Sequence, residues 1–256
     1  VADWAIDHDF DFERIHHAAD RFYRHLHGSL TNRDLMDFAT PDRGKFSLLR
    51  LYNQFPGIAD WFRLKAALSC DLLQDWRTAI TEYGGPTKEL SANAFMPSFS
   101  YITGLDFDGA SKICDAVSPK LYTMHWSLMV KFWGDVLMAS NPGLDEHLLV
   151  RALVNLLDLA DGDEAGALIA DYGYPEPDEP HPIPTTAQTR KIDQALAAAG
   201  GRVPVHALVH GYGPVSDFRR RFQLVADSNA DGAWINRYGY LSDEKLDTVR
   251  ELWMQT

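Results

Sequence analysis

The sequence predicts an α/β protein of the (β/α)8 barrel type, incomplete, with a helical N-terminal segment followed by the last four strands, five to eight, of such a barrel. Short apolar runs alternate with helical patterns from residue 85 onward, which is typical of parallel strands joined by right-handed crossovers. The intervals Asn93–Tyr122 and His206–Ile235 both measure 29 positions. An average unit of a (β/α)8 barrel is about 31 residues long.

The chain is expected to form one structural domain, in which a helical segment, 1–84, packs on the later βα units, 85–256. Within the first segment, the polar stretch 31–45 predicts a loop, and 45–52 is the only weak candidate for an early strand. Half a barrel would leave two unpaired sheet edges. We therefore expect the first strands of the barrel to lie upstream of this sequence or on another chain. Another chain, or a second copy of this one, would then complete the barrel. Apolar spacing predicts helices over about 10–26 and 57–82.

Turn and capping residues mark where the elements after residue 85 begin and end. Prolines in 174–184 predict an irregular loop, Gly200-Gly201 predicts the end of a helix, and Ser216 and Ser242 are the expected N-caps of the last two helices. The predicted strands are 90–96, 116–125, 203–210 and 232–238. The predicted helices are about 107–115, 127–139, 144–159, 186–199, 217–228 and 243–254.

Composition and charge narrow the class of protein. With 46% hydrophobic and 23% charged residues, the 256-residue chain is expected to be soluble and globular. The net charge of −12 disfavours nucleic acid as a partner, and the one basic run, Arg219-Arg220-Arg221, is expected to be a solvated helix face. The sequence contains no run of 18 apolar residues, so no membrane-spanning helix is predicted.

The cysteines and the start of the chain bear on its location. Cys70 and Cys114 are too few for a disulfide framework and are expected to be buried thiols. The sequence begins with Val1 and has no signal-peptide pattern, so we expect a cytoplasmic protein whose sequence begins inside a longer chain. No dinucleotide-binding or P-loop glycine pattern follows a strand, and we expect no cofactor.

Several motifs lie near the ends of the predicted strands. They are Asn93-x-Phe95-x-Pro97-x-x-Ser100, Gly104-Leu105-Asp106, Pro119-Lys120-Leu121-Tyr122, His125-Trp126, Asp231-Gly232-Ala233-Trp234-Ile235 and Arg237-Tyr238. These motifs resemble the later strands of the poorly characterised glycoside-hydrolase-like TIM-barrel proteins, and the region from Phe10 to Ala79 resembles the helical stretch before the middle strands there. The resemblance implies a carbohydrate-active hydrolase with its site at the carboxyl ends of the strands.

The candidate catalytic residues are Asp106, Asp108 and His210. Either aspartate is a candidate general acid or base, with the alternative that both cap the helix that begins near Phe107. His210 ends a strand, whereas His206, about 13 Å away along it, is expected in the core or near the bottom of the barrel. The expected ligand is a saccharide or another small polar molecule. Candidate substrate-binding residues are Asn93, Tyr101, His125, Trp126, Tyr212, Asn236, Arg237 and Tyr238.

Three functions remain open. A retaining barrel hydrolase carries a glutamate after its seventh strand, but none of the nine glutamates ends a predicted strand, and His210 occupies that position. The first function is saccharide hydrolysis or binding with Asp106 or Asp108 as acid or base. The second is a metal-dependent hydrolase or isomerase that uses His125, His210 and an aspartate, although no metal ligand is assigned. The third is a non-catalytic sugar-binding or barrel-completing subunit.

Two of the candidate residues have a structural alternative. Trp126 is either a stacking platform for a sugar or a core tryptophan. Arg237 either clamps an anionic group or forms a structural ion pair with an aspartate.

Overall fold

The computed structural model describes residues 1–40, 44–85, 87–97, 99–159 and 166–253. These residues form two compact units. Unit 1 contains 1–65 and 127–173, and unit 2 contains 66–126 and 174–256. Every strand in the described residues lies after residue 84, and the predicted organisation into 1–84 and 85–256 stays a prediction.

Unit 1 is helical in its described residues. Side-chain caps set the start of several helices: Asp11 accepts from the Arg14 N–H, and Thr31 and Asp34 form a capping box. The helices are α1 (Ala2–Asp7), α2 (Phe12–Leu26), α3 (Asn32–Ala39), α4 (Gly44–Gln54), the start of α5 (Ile58–Ala79), most of α8 (Thr123–Ser140) and α9 (Glu146–Leu157), with a 3-10 turn at Ile169–Asp171.

Unit 2 is built around a parallel sheet. Its strands are β1 (Ser91–Phe95), β2 (Ala116–Leu121), β3 (His206–His210) and β4 (Gly232–Asn236). Its helices are the end of α5 with a π-helical turn at Ile80–Gly84, α6 (Phe99–Thr103), α7 (Phe107–Ala110), the start of α8, α10 (Thr185–Ala199), α11 (Val215–Ala226) and α12 (Asp243–Trp253), with a 3-10 turn at Tyr238–Tyr240. Gly200 ends α10 in the left-handed conformation, at φ 60°, which glycine adopts without steric cost.

The strands pair in chain order, β1-β2-β3-β4, and every pair is parallel. The predicted parallel alternation of strands and helices is therefore confirmed. One face of the sheet is buried against α7 and α10, in a cluster that includes Ala92, Ala94 and Val117. Phe95, which alternates with buried Ala92 and Ala94 in β1, is 41% exposed, and Trp234 in β4 is 53% exposed.

The prediction of a (β/α)8 barrel is wrong. The described residues contain one open sheet of four strands, and its edge strands β1 and β4 do not pair with each other. The weak candidate strand 45–52 lies within helix α4. A barrel requires hydrogen bonding around a closed circuit, and the helical periodicity of the early residues supplies no further strand.

Several predicted boundaries also differ. The stretch 31–45 was predicted as a loop, but α3 lies in it because of the Thr31–Asp34 capping box and the buried Leu35 and Ala39. The strand predicted over 116–125 ends at Leu121, because α8 begins at Thr123. The helix predicted over 107–115 is only one turn, Phe107–Ala110.

Two differences concern the last helices. The predicted N-cap Ser216 lies inside α11, whose N-cap is Pro214. The helix predicted over 243–254 is described through Trp253, and residue 254 lies outside the described residues.

Candidate functional site

Polar and aromatic side chains meet where β2, β3 and β4 end. Tyr122 directly follows β2, His210 is the last residue of β3, and Asn236 is the last residue of β4. The Asn236 Nδ2 donates to the Tyr122 Oη at 2.7 Å. The Tyr122 and His210 rings lie 5.0 Å apart, nearly edge to face. Parallel strands bring their carboxyl ends to one edge of a sheet, and these contacts join three of the four ends.

Six aromatic side chains form a closed cycle of ring contacts at this edge. The members, which we call the aromatic cycle, are Tyr122, His210, Tyr240, Tyr212, Tyr174 and His125. In that order the centroid distances are 5.0, 5.4, 5.5, 5.2 and 5.8 Å, and 5.7 Å closes the cycle. These spacings are typical of interacting aromatic rings. Tyr174 is 43% and Tyr240 42% exposed, so a ligand can reach part of the cycle.

His210 is held as a neutral ring with a defined tautomer. The Tyr212 backbone N–H donates to the His210 Nδ1 at 3.1 Å, so the proton of the neutral imidazole lies on Nε2. Burial, followed by the charges of His125, Arg221 and Arg237 and then of Lys245, lowers the pKa of His210 to about 4. At neutral pH the ring therefore offers one uncharged N–H donor.

Two buried cations hold the loop that follows β3. The Lys245 Nζ donates to the carbonyls of Gly211, Gly213 and Tyr240 at 2.8, 2.7 and 3.0 Å. The Arg221 guanidinium donates to the carbonyl of His210 at 2.8 Å and to that of Tyr212 at 2.6 Å. Burial lowers the pKa of Lys245. These bonds fix the backbone that carries three members of the aromatic cycle, His210, Tyr212 and Tyr240.

A buried carboxylate balances Arg221. The Asp217 Oδ2 accepts from the Arg221 Nε at 2.7 Å, and both side chains are 1% exposed. Burial raises the pKa of Asp217, but Arg221 and Arg220 outweigh it and hold that pKa below its ordinary value. The run Arg219-Arg220-Arg221 is thus not simply a solvated face, because its third residue is buried.

His181 lies beside this pair. Its Nδ1 is 2.7 Å from the Thr123 Oγ1 and 4.0 Å from the Asp217 carboxylate. Burial and the positive charge of Arg221 lower its pKa to about 3, despite the opposing effect of Asp217. His181 is therefore neutral at physiological pH, and in the described part of the chain its Nε2 has no hydrogen-bond partner.

The two candidate catalytic aspartates lie elsewhere. Asp106 caps α7, as its side chain accepts from the Asp108 N–H, which confirms the capping alternative for this residue. Asp108 accepts from Lys112 at 2.7 Å and from Arg202 at 2.5 Å, and the Lys112 hydrogen bond is the first cause that lowers its pKa. Asp108 is paired with Arg202, which lies four residues before β3, so this carboxylate lies near the amino edge of the sheet. Asp106 caps the same one-turn helix, α7.

Four of the eight candidate binding residues, namely His125, Tyr212, Asn236 and Arg237, lie at or beside the aromatic cycle. His125 and Tyr212 are members of the cycle. Asn236 bonds Tyr122, and Arg237, exposed, is one of the charges that lower the pKa of His210. His125 reaches the site from the first turn of α8 and not from a strand end as predicted. Within the described residues, Arg237 takes part in no ion pair.

The other candidate binding residues are not brought into the cycle. Trp126 is 1% exposed, which confirms the core alternative and excludes stacking with a ligand. Asn93 lies in the middle of β1 on the exposed face of the sheet, and Tyr101 lies on α6. Tyr238 is 82% exposed and has no ring contact among the described residues.

The geometry gives no support to the metal-dependent alternative. Among the described residues, no three His, Cys, Asp or Glu side chains are close enough to hold a metal ion. Cys70 and Cys114 are free thiols, the first partly and the second fully buried. Burial raises the pKa of both, so they are poor metal ligands and nucleophiles.

Several residues of the site were not predicted from the sequence. Tyr174 belongs to a proline-rich loop, and Tyr240 follows the last strand by four positions, so neither is at a predicted strand end. The burial of Arg221 and Lys245 was not predicted, because lysine and arginine on helices are usually exposed. One signal was available: Asp217 and Arg221 are separated by four positions on a predicted helix, a spacing that favours an ion pair.

Within the described residues, none of the helices combines the length and the apolar character that crossing a membrane requires. The glycoside-hydrolase-like resemblance rests on the motifs near the strand ends and on the helical region from Phe10 to Ala79. No family model, curated protein or solved structure matches the chain, and the resemblance stays a prediction.

Proposed function

We propose that the chain is a carbohydrate-binding protein that takes up a saccharide at the carboxyl ends of β2, β3 and β4. The observation that carries this proposal is the aromatic cycle. Aromatic rings offer flat apolar surfaces that suit the C–H faces of a sugar, while their hydroxyl and ring N–H groups suit its oxygens. The partly exposed Tyr174 and Tyr240 are the rings on which the sugar stacks.

Polar groups beside the rings supply orientation. The Nε2–H of neutral His210 donates to a sugar oxygen without the cost of burying a charge. Asn236 has an amide oxygen in addition to the Nδ2 that it uses on Tyr122. Arg237 adds exposed donors at the rim. A few directed polar groups among aromatic walls are the usual composition of a small-molecule site.

Binding fits the residues better than hydrolysis by a pair of carboxylates. Such hydrolysis needs two carboxyl groups about 5–10 Å apart that flank the bond. In the described part of the chain, no carboxylate hydrogen-bonds to His125 or His210, and Asp106 and Asp108 lie at the other edge of the sheet. We therefore favour a sugar-binding role over that of a retaining or inverting glycosidase.

The test is calorimetric titration of the full chain with cellobiose, chitobiose and mannobiose. We expect at least one of these disaccharides to bind, and Tyr240→Ala and Tyr174→Ala each to weaken that binding about tenfold or more, because each removes a stacking surface. Tyr83→Ala is the matched control, because Tyr83 is also an exposed tyrosine of unit 2. The proposal fails if no disaccharide binds or if all three variants bind equally well.

A second assay separates binding from catalysis. Wild type, Asp106→Asn and Asp108→Asn are compared for hydrolysis of aryl glycosides. We expect no turnover from any of them. Turnover by the wild type that is lost in either aspartate variant would restore hydrolysis as the function.

A further inference from the structure

Unit 1 contains a cavity that is separate from the saccharide site. Its volume is about 140 Å³, and helices α2, α3, α4, α8 and α9 line it. One face of α9 forms much of the wall, since Leu149, Ala152, Leu153 and Leu156 recur at the spacing of a single helix face. Leu35, from α3, also lines the cavity, and the lining surface is predominantly apolar.

The rim of the cavity is charged, but its charges are already paired. Arg50 forms an ion pair with Asp37 and lies 4.0 Å from Asp34. Asp34 also accepts from the Thr31 hydroxyl at 2.6 Å and lies 3.7 Å from the His25 Nε2. A charged ligand would have to break this network or enter the apolar interior without a partner, which is costly. The rim therefore favours an occupant without charge.

From the volume, the wall and the rim we infer that unit 1 binds a small, uncharged apolar molecule, such as a single aromatic ring or a short branched hydrocarbon group. Apolar cavities of about 150 Å³ take up benzene and stay free of water. The chemistry of the cavity thus differs from that of the saccharide site, which offers hydroxyl, amide and imidazole groups. The inference does not depend on the proposed sugar-binding function.

The test uses benzene as the probe and the full chain as the protein. A ligand that binds only the folded state raises the melting temperature with its concentration. We expect benzene to raise the Tm of the wild type, while benzoate and benzylammonium, which carry a charge into the same ring size, leave it unchanged. An absent response to benzene, or an equal response to benzoate, would overturn the inference.

Two substitutions on α9 locate the binding. Ala152→Leu fills the cavity and is expected to weaken benzene binding about tenfold or more. Val154→Ile adds a methylene on the same helix at a buried position that does not line the cavity, and it should retain the wild-type affinity. If Ala152→Leu binds benzene as well as Val154→Ile does, benzene binds elsewhere and the inference is wrong.

A third variant decides the case if Ala152→Leu does not fold. Leu153→Ala enlarges the cavity, and the cost of the empty volume falls when a larger ligand fills it. Indole should then bind this variant about tenfold more tightly than it binds the wild type. Equal affinities of the two proteins for indole would contradict the proposed site.

Discussion

The Asn236 Nδ2 donates to the Tyr122 Oη at 2.7 Å, and this bond connects the end of β4 with the end of β2. The strand between them, β3, ends at His210, whose ring lies 5.0 Å from that of Tyr122. The three residues are separated by 88 and 26 positions in the chain and meet only because parallel strands in order place their carboxyl ends side by side.

Tyr122→Phe removes the acceptor for Asn236 and keeps the ring of the aromatic cycle. We expect the free energy of unfolding to fall by about 1 kcal/mol, the usual net value of such a hydrogen bond, and disaccharide affinity to fall because Asn236 is no longer oriented. Urea unfolding and calorimetry measure the two effects. Tyr83→Phe, at an exposed tyrosine, is the control and should change neither, whereas equal behaviour of both variants would refute the role of this bond.

Lys245→Met tests the support of the loop after β3. The substitution keeps most of the side-chain volume but removes the ammonium that donates to three carbonyls. Hydrogen bonds to charged groups are strong, and the carbonyls lose their partner, so we expect unfolding free energy to drop by about 3 kcal/mol. Lys112→Met, at an exposed pair with Asp108, should lie within about 0.5 kcal/mol of wild type. Similar losses of unfolding free energy in both variants would show that the three hydrogen bonds of buried Lys245 do not stabilise the fold.

Asp217→Asn leaves the buried guanidinium of Arg221 without a counterion. Removing one partner of a buried ion pair costs about 3–5 kcal/mol, and we expect a loss of that order in chemical denaturation. Asp135→Asn breaks an exposed pair with Lys131 on α8 and serves as the control, with a change of about 0.5 kcal/mol or less. A stable Asp217→Asn protein would contradict the pairing described for Arg221.

The pH dependence of stability follows from His210 and His181. Their pKa values in the folded protein are about 4 and about 3, below the ordinary value near 6.5 that applies to the unfolded chain. Below about pH 6.5 the unfolded chain therefore binds more protons than the folded one, and acidification favours unfolding. Between pH 7 and pH 5, each histidine is expected to lower the free energy of unfolding by about 1–2 kcal/mol.

Denaturant unfolding at pH 7, 6 and 5 measures this slope. His210→Gln should make the slope shallower, because one of the histidines whose pKa is lowered by burial is gone. His17→Gln, at an exposed position of α2, should leave it unchanged. A His210→Gln slope equal to that of the wild type would mean that His210 is not kept neutral by the fold.

Local patterns predicted much of the sheet and several helices. All four predicted strands exist, and 90–96 and 203–210 overlap β1 and β3 closely. The end of α10 at Gly200 and the irregular path of 174–184 are also confirmed. These features depend on turn residues and apolar alternation within a few positions, which a single sequence displays directly.

The prediction of a barrel was wrong because it also rested on local patterns. Repeat length and alternation describe units of strand and helix, and an open parallel sheet is built from the same units as a closed one. Closure depends on whether the edge strands find partners, and here β1 and β4 do not pair with each other. Likewise, the second strand was predicted through residue 125, because Tyr122, Thr123 and the residues after them also suit a strand, yet α8 begins at Thr123.

The sequence by itself determined that this protein is an α/β chain with parallel strands whose ends carry His210, Tyr212 and Asn236. Only the tertiary structure decided that the sheet is open, that Tyr174 and Tyr240 join those residues, and that Asp106 and Asp108 lie at the amino edge. The physical reason is the range of the forces. Periodicity and capping act over a few residues, whereas the packing of rings and the burial of Arg221 and Lys245 join segments that are distant in the chain.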